Sequence, residues 1–137
     1  MTSNKQQTAV EFVPYELALE LKQLGFDDAC IYHYKKNDEG EHTSHPTFEM
    51  LTPFGKNHNI LDSRVSAPTY SQSFRFFREK HGLCIVIKPI DDKKLDLGYN
   101  LLKNGLIMNA HLTYEGAELA CLRNLIKIVK EQTNGKQ

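Results

Sequence analysis

The stretch LCIVIKPIDDKKLDLGYNLLKNGLIMNAHL, residues 83–112, decides the fold class. Leu83, Ile85 and Ile87 lie on one face of its first segment and Cys84 and Val86 on the other. A segment apolar on both faces predicts a central strand covered twice. After the charged turn Asp91–Lys94, Leu95, Leu97, Tyr99 and Leu101 alternate with Asp96, Gly98 and Asn100, the period of a half-buried strand. Asn104-Gly105 is the strongest hairpin signal in the chain, because a type I′ turn needs positive φ at both central positions. Leu106 to Leu112 then returns. Strands joined by hairpins pair antiparallel.

Helices flank this region. Downstream, Thr113 is a good N-cap, Glu115 and Glu118 suit the positive end of a helix dipole, and helix 3 is predicted to about Glu131, with 133–137 a flexible tail. Upstream, Ser66 is a second N-cap with Pro68 in the first turn, and Gly82 stops helix 2 after His81. Helix 1 starts near Pro14, carries Leu17, Leu21 and Leu24 on one face, and stops at Gly25, with Phe26 placed to pack back on Leu21. Between helices 1 and 2, Ala29–Lys35 reads as a strand, 36–46 as a polar turn, Thr47–Thr52 as a return strand, and 53–64 as irregular. The expectation is one α+β domain over 11–132, behind a flexible tail at 1–10. Its sheet is mainly antiparallel, with about five strands and three helices in the order α-β-β-α-β-β-β-α.

Composition narrows the function classes. Lys plus Arg and Asp plus Glu each number 17, so the formal charge is zero and no global field draws the chain to nucleic acid. The longest apolar runs are about five residues, far short of the ~20 that span a bilayer, so no membrane partner is expected. The polar start lacks the apolar core of a signal peptide. Cys30, Cys84 and Cys121 form no CxxC pair and read as small hydrophobes in a reducing cytoplasm.

No glycine-rich phosphate loop, nucleophile elbow, HExxH or EF-hand loop is present, and no cofactor is expected. His42, His45 and His58 lie in or near one irregular segment, and Cys30 and His33 precede it as C-x-x-H. These histidines are weak metal candidates, for a small metal-dependent hydrolase, against the plain reading of a solvated turn. Glu118 falls between Leu122 and Leu125, in a stripe with Tyr114, Cys121, Ile128 and Val129; burial there would raise its pKa, although a carboxylate one turn into a helix also satisfies free N–H groups.

Two helices carry apolar residues on the wrong side. Tyr15 and Leu19 point away from the core leucines of helix 1. Phe76, with Lys80 nearby, points away from Tyr70, Phe74, Phe77 and His81 on helix 2. These four are interface candidates for a protein partner or for self-association. The alternative is that the middle segment folds over them. Arg75 and Arg78 on helix 2, with Arg123, Lys127 and Lys130 on helix 3, are candidates for nucleic-acid contact, where bases stack on rings and cations hold phosphate.

At EFVPYELALELKQLGFDDAC (11–30), SAPTYSQSFRFFREKHGL (66–83) and TYEGAELACLRNLIKIVKEQ (113–132), the chain resembles a set of short uncharacterised proteins of Bacteroidetes genomes, phages and prophages. That family carries no assigned activity. The resemblance implies a cytosolic setting and a mobile-element origin, and no reaction. The combined expectation is a non-enzymatic binding module.

Overall fold

A computed structural model of the chain describes residues 12–48, 55–89, 97–101, 106–107 and 113–134. The fold is α+β, with three helices and antiparallel sheets. The chain forms two compact units, Met1–Gln72 and Ser73–Gln137, where the sequence reading drew no boundary.

The first unit holds α1 (Tyr15–Gln23), β1 (Tyr32–Lys35), β2 (Thr47–Phe48), a 3-10 turn (His58–Ile60) and β3 (Arg64–Ser66). α1 ends as its sequence demands. Gly25 takes φ 94°, its N–H bonds Lys22 O at 3.0 Å, and Phe26 N–H reaches back to Leu21 O at 3.0 Å. That is a Schellman ending, and it buries Phe26 with Leu17 and Leu21. Leu24, expected on the same face, is half-buried. β1 is the middle strand of β2-β1-β3, with Tyr32 opposite Phe48 and Tyr34 opposite Val65. α1 packs on β3, and the Lys22 ammonium donates to Leu61 O and Arg64 O at 2.8 Å each.

The described part of the expected irregular stretch 53–64 is irregular apart from the 3-10 turn and Arg64, with which a strand the sequence reading did not expect, β3, begins. At three residues it is too short for a period-2 pattern to register. It also displaces the expected cap of helix 2. Ser66 ends β3, 1% exposed, and its hydroxyl accepts from the His58 N–H. The helix, α2, spans Tyr70–His81. Thr69 and Gln72 form its capping box: the Thr69 hydroxyl accepts from Gln72 N–H at 3.2 Å, and the Gln72 amide oxygen accepts from Thr69 N–H at 3.0 Å.

The second unit comprises the rest of α2 with β4 (Ile85–Pro89), β5 (Leu97–Leu101), β6 (Leu106–Ile107) and α3 (Tyr114–Asn134). Its sheet runs β4-β5-β6, all antiparallel, with Ile87 opposite Tyr99 and Leu101 opposite Leu106. Among the described residues β4 is therefore an edge strand, not the doubly covered central strand expected, and Val86 is 42% exposed. Leu83 belongs instead to the end of α2, where its N–H bonds Phe77 O at 3.0 Å. Pro89 is tolerated because no ladder bond is needed on an edge. The expected Asn104-Gly105 turn, the 91–94 turn and the 1–10 tail lie outside the described residues.

α3 packs on β5 and β4, and its buried residues are Ala117, Cys121, Leu122, Leu125, Ile126 and Val129. Tyr114 was expected in this stripe and is 50% exposed; Ile128 is half-buried. The helix runs past its expected end at Glu131. At its start the Thr113 hydroxyl accepts from Gly116 N–H at 2.9 Å. Replacing Thr113 with Ala is expected to cost about 1 kcal/mol in thermal or urea unfolding.

Candidate functional site: an aromatic cleft in the first unit

β1 places alternate side chains on opposite faces. Tyr32 and Tyr34 face one way, His33 the other. The Phe12 ring sits 4.4 Å from the Tyr32 ring and the Phe48 ring 5.6 Å from it. The segment carrying Phe12 is held there by backbone. Val13 N–H bonds Pro68 O at 2.9 Å, and the Tyr34 hydroxyl donates to Val13 O at 2.7 Å. Burial pushes the Tyr34 phenol up to about 12, so it stays a donor at any physiological pH.

Tyr15, at the start of α1, stands edge-on to Tyr34 at 5.5 Å and lies flat against His42 at 3.5 Å and 8°. His42 arrives there because the 36–43 segment is a folded hairpin tip. The Asn37 side-chain oxygen accepts from the N–H groups of Glu39 and Glu41 at 3.0 and 2.9 Å. Asn37 N–H reaches Glu41 O, Gly40 takes φ 87°, and Thr43 N–H closes on Lys35 O at 3.0 Å. This is the Asx-type turn that the Asn-Asp-Glu-Gly run allows. His42 Nδ1 lies 2.9 Å from Thr43 O, so that nitrogen carries hydrogen and Nε2 carries the lone pair in the neutral ring.

Together these residues enclose a cleft of about 330 Å³. Phe12, Tyr15 and Tyr34 form its walls, and Pro14 and Pro46 its shoulders. Glu16, His42, Ser44 and His45 supply the polar groups. On the other side of His42, Lys35, Lys36 and Glu41 line a second hollow.

No protein-family model matches the chain, and no curated protein or solved structure does either.

The sequence candidates separate. Tyr15 belongs to the cleft, half-buried under its own hairpin tip, and Leu19 is half-buried. Phe76 is not a surface residue: it is 3% exposed, with its ring edge-on to Phe77 and His81 at 5.3 Å each. Lys80 is exposed without the apolar neighbour that made it a candidate. Arg75, Arg78, Arg123 and Lys127 are exposed and Lys130 half-buried, all in the second unit. With Phe76 in the core, the stacking ring proposed beside Arg75 is withdrawn from any base.

The histidines divide into two pairs. His42 and His45 line the cleft, while His33 and His58 are fully buried and stacked at 4.3 Å. Among the described residues, no three His, Cys, Asp or Glu side chains come together to hold a metal. The set of His33, His42, His45 and His58 therefore does not form one ligand cluster. Cys30 and Cys121 are buried, and that burial pushes both thiols up to about 12, so neither is a thiolate nucleophile at neutral pH. Glu118 is half-buried; burial first, and the Glu115 charge second, raise its carboxyl above the usual range. Among the described residues, no helix is long and apolar enough to cross a membrane.

The cleft was missed in sequence because its lining comes from three separated segments, 12–16, Tyr34 and 42–46. The one local signal was the Asx turn at Asn37, which could have marked 36–43 as ordered.

Proposed function

We propose that this chain is a non-enzymatic binding module that takes an extended, proline-containing segment of a partner protein in the aromatic cleft of its first unit. The observation that carries this reading is the wall of Phe12, Tyr15 and Tyr34 between two prolines, with Glu16 at the rim. Aromatic-lined grooves suit polyproline II segments, which arrive already extended and lose little entropy on docking. Glu16 suits a lysine or arginine flanking the prolines and opposes phosphate. For that reason a peptide is favoured over a nucleic acid at this cleft.

A library of proline-rich peptides, with and without flanking Lys or Arg, tests this by NMR titration of the whole chain. The expected outcome is shifts at Tyr15, Tyr34 and His42, with basic peptides preferred. Replacing Tyr15 with Ala is expected to weaken binding by ~2 kcal/mol, about 30-fold. Glu16→Gln is expected to erase the preference for basic peptides only. Thermal melts of both variants separate lost binding from lost folding. Shifts with no peptide, or shifts at the cleft with single-stranded oligonucleotides that vanish with salt, would overturn the reading.

A further inference from the structure

The space beside Tyr15 and Tyr34 does not end at His42. That residue lines the aromatic cleft and also the second hollow, about 330 Å³, whose other walls include Lys35, Lys36 and Glu41. Lys36 and His42 pair across the hairpin in an antiparallel bridge. Residues directly opposite one another project to the same face, so Lys36 is the cross-strand neighbour of the ring that covers Tyr15. Lys36 also follows Tyr34 at the strand's period of two, on the cleft side of the ribbon.

The backbone around the second hollow is committed to the hairpin. Lys36 N–H bonds Ser63 O at 2.8 Å, Asn37 N–H bonds Glu41 O at 2.9 Å, and Thr43 N–H bonds Lys35 O at 3.0 Å. Lys35 N–H meets the Thr43 hydroxyl at 3.2 Å. What the hollow offers a ligand is therefore side-chain charge: two ammonium groups, on exposed Lys35 and half-buried Lys36, against the one carboxylate of Glu41. Asp38 and Glu39 sit in the turn, outside both linings. Lys22, from α1, stands in electrostatic reach of Lys36 and of Asp62, a cation and an anion that leave the balance as it is. Charge thus changes sign across one imidazole, with Glu16 on the cleft side and the lysine pair beyond it.

A segment that lays prolines on Tyr15 and Tyr34 and continues past His42 reaches those lysines. Polyproline II advances about 3.1 Å per residue, so roughly two to three residues carry it across. We propose, resting on the peptide reading of the cleft, that the partner segment is charge-asymmetric: a basic residue at the Glu16 end, proline in the middle, and an aspartate or glutamate at the Lys35–Lys36 end. The two lysines are then specificity-determining residues, and the opposite charges set which end of the segment lies where. Exposed ion pairs are individually weak and screened by salt, so the acidic end adds selectivity more than affinity.

Two peptides test this by NMR titration of the full chain. They share a basic end and a proline core, and carry either glutamate or glutamine about two to three residues beyond the last proline. At low salt the glutamate peptide is expected to bind about 5-fold more tightly and to move the backbone signals of 35–43 further. That ratio should fall to about 1 near 1 M salt, where the Debye length is about 3 Å, an arm that needs no substitution. It should also fall to about 1 in Lys35→Gln/Lys36→Gln and invert in Lys35→Glu/Lys36→Glu, with melting curves confirming that both fold. Both peptides bound at a wild-type ratio of about 1 would overturn the charge-asymmetric segment and leave the cleft reading standing. A preference that survives salt, or survives both double variants, would remove the lysines from the site. Binding by neither peptide nor any other proline-rich sequence would end the cleft reading and this inference with it.

Discussion

Replacing Gly55 with Ala is expected to abolish the native first unit, at a cost above ~3 kcal/mol. Gly55 is buried with φ 76°. A Cβ built there falls 2.4 Å from Cys30 O, 2.5 Å from Cys30 C and 2.8 Å from Ile31 N. All three are backbone atoms, so no rotamer change relieves the clash. The approach is imposed by the neighbouring pair, in which Cys30 N–H bonds Lys56 O at 2.8 Å and Lys56 N–H bonds Cys30 O at 3.1 Å. Relief means breaking those bonds, which also moves the carbonyl that His58 uses. Left-handed backbone alone costs a non-glycine residue about 1–2 kcal/mol. Gly40 isolates that term: its φ is 87° and nothing lies within 4 Å of its added Cβ. Urea unfolding of Gly40→Ala and Gly55→Ala side by side is the measurement. Equal losses would mean that the close approach at Cys30 does not exist.

What sequence could and could not reveal follows from the range of each interaction. The end of α1 was legible because Leu21, Lys22, Gly25 and Phe26 settle it among themselves. The start of α2 was misread by three residues, although Thr69 and Gln72 carry the capping-box pattern. Ser66 looked like the better cap because nothing local announces that a buried strand and a buried histidine claim its hydroxyl. β3 and the edge position of β4 depend on pairing partners distant in the chain, which no local period encodes. The same holds for the site. Tyr15 and His42 were each singled out, but on separate grounds, and their stacking needs the hairpin tip to fold back across α1. On α2 the error was one of phase. The stripe was drawn through Tyr70, Phe74, Phe77 and His81, whereas Tyr70, Ser73, Phe76 and Phe77 are the buried set. Ser73 is 0% exposed, and a small hydroxyl residue buried in this way gives no sequence signal that would turn Phe76 inward.

That phase shift yields the second large effect. Phe77 is 0% exposed, tilted against His81 at 5.8 Å and edge-on to Phe76 at 5.3 Å, and its carbonyl holds Leu83 at the end of α2. Phe77→Ala removes a fully buried ring, an expected loss of about 3–5 kcal/mol. For a chain of this size that lowers Tm by roughly 10 °C. The informative comparison is Phe76→Ala. A docking residue on an outer face would change stability by no more than about 0.5 kcal/mol. A core ring at 3% exposure should cost several times that. Acid adds a weaker check, because burial against these rings lowers the His81 pKa. The stability tied to keeping that ring neutral is present above the ordinary histidine range and lost as pH falls through it. Removing either phenylalanine exposes His81, so the acid dependence of the melting temperature should flatten in both variants. Phe76→Ala melting with the wild type would return Phe76 to the surface and reopen α2 as a contact face.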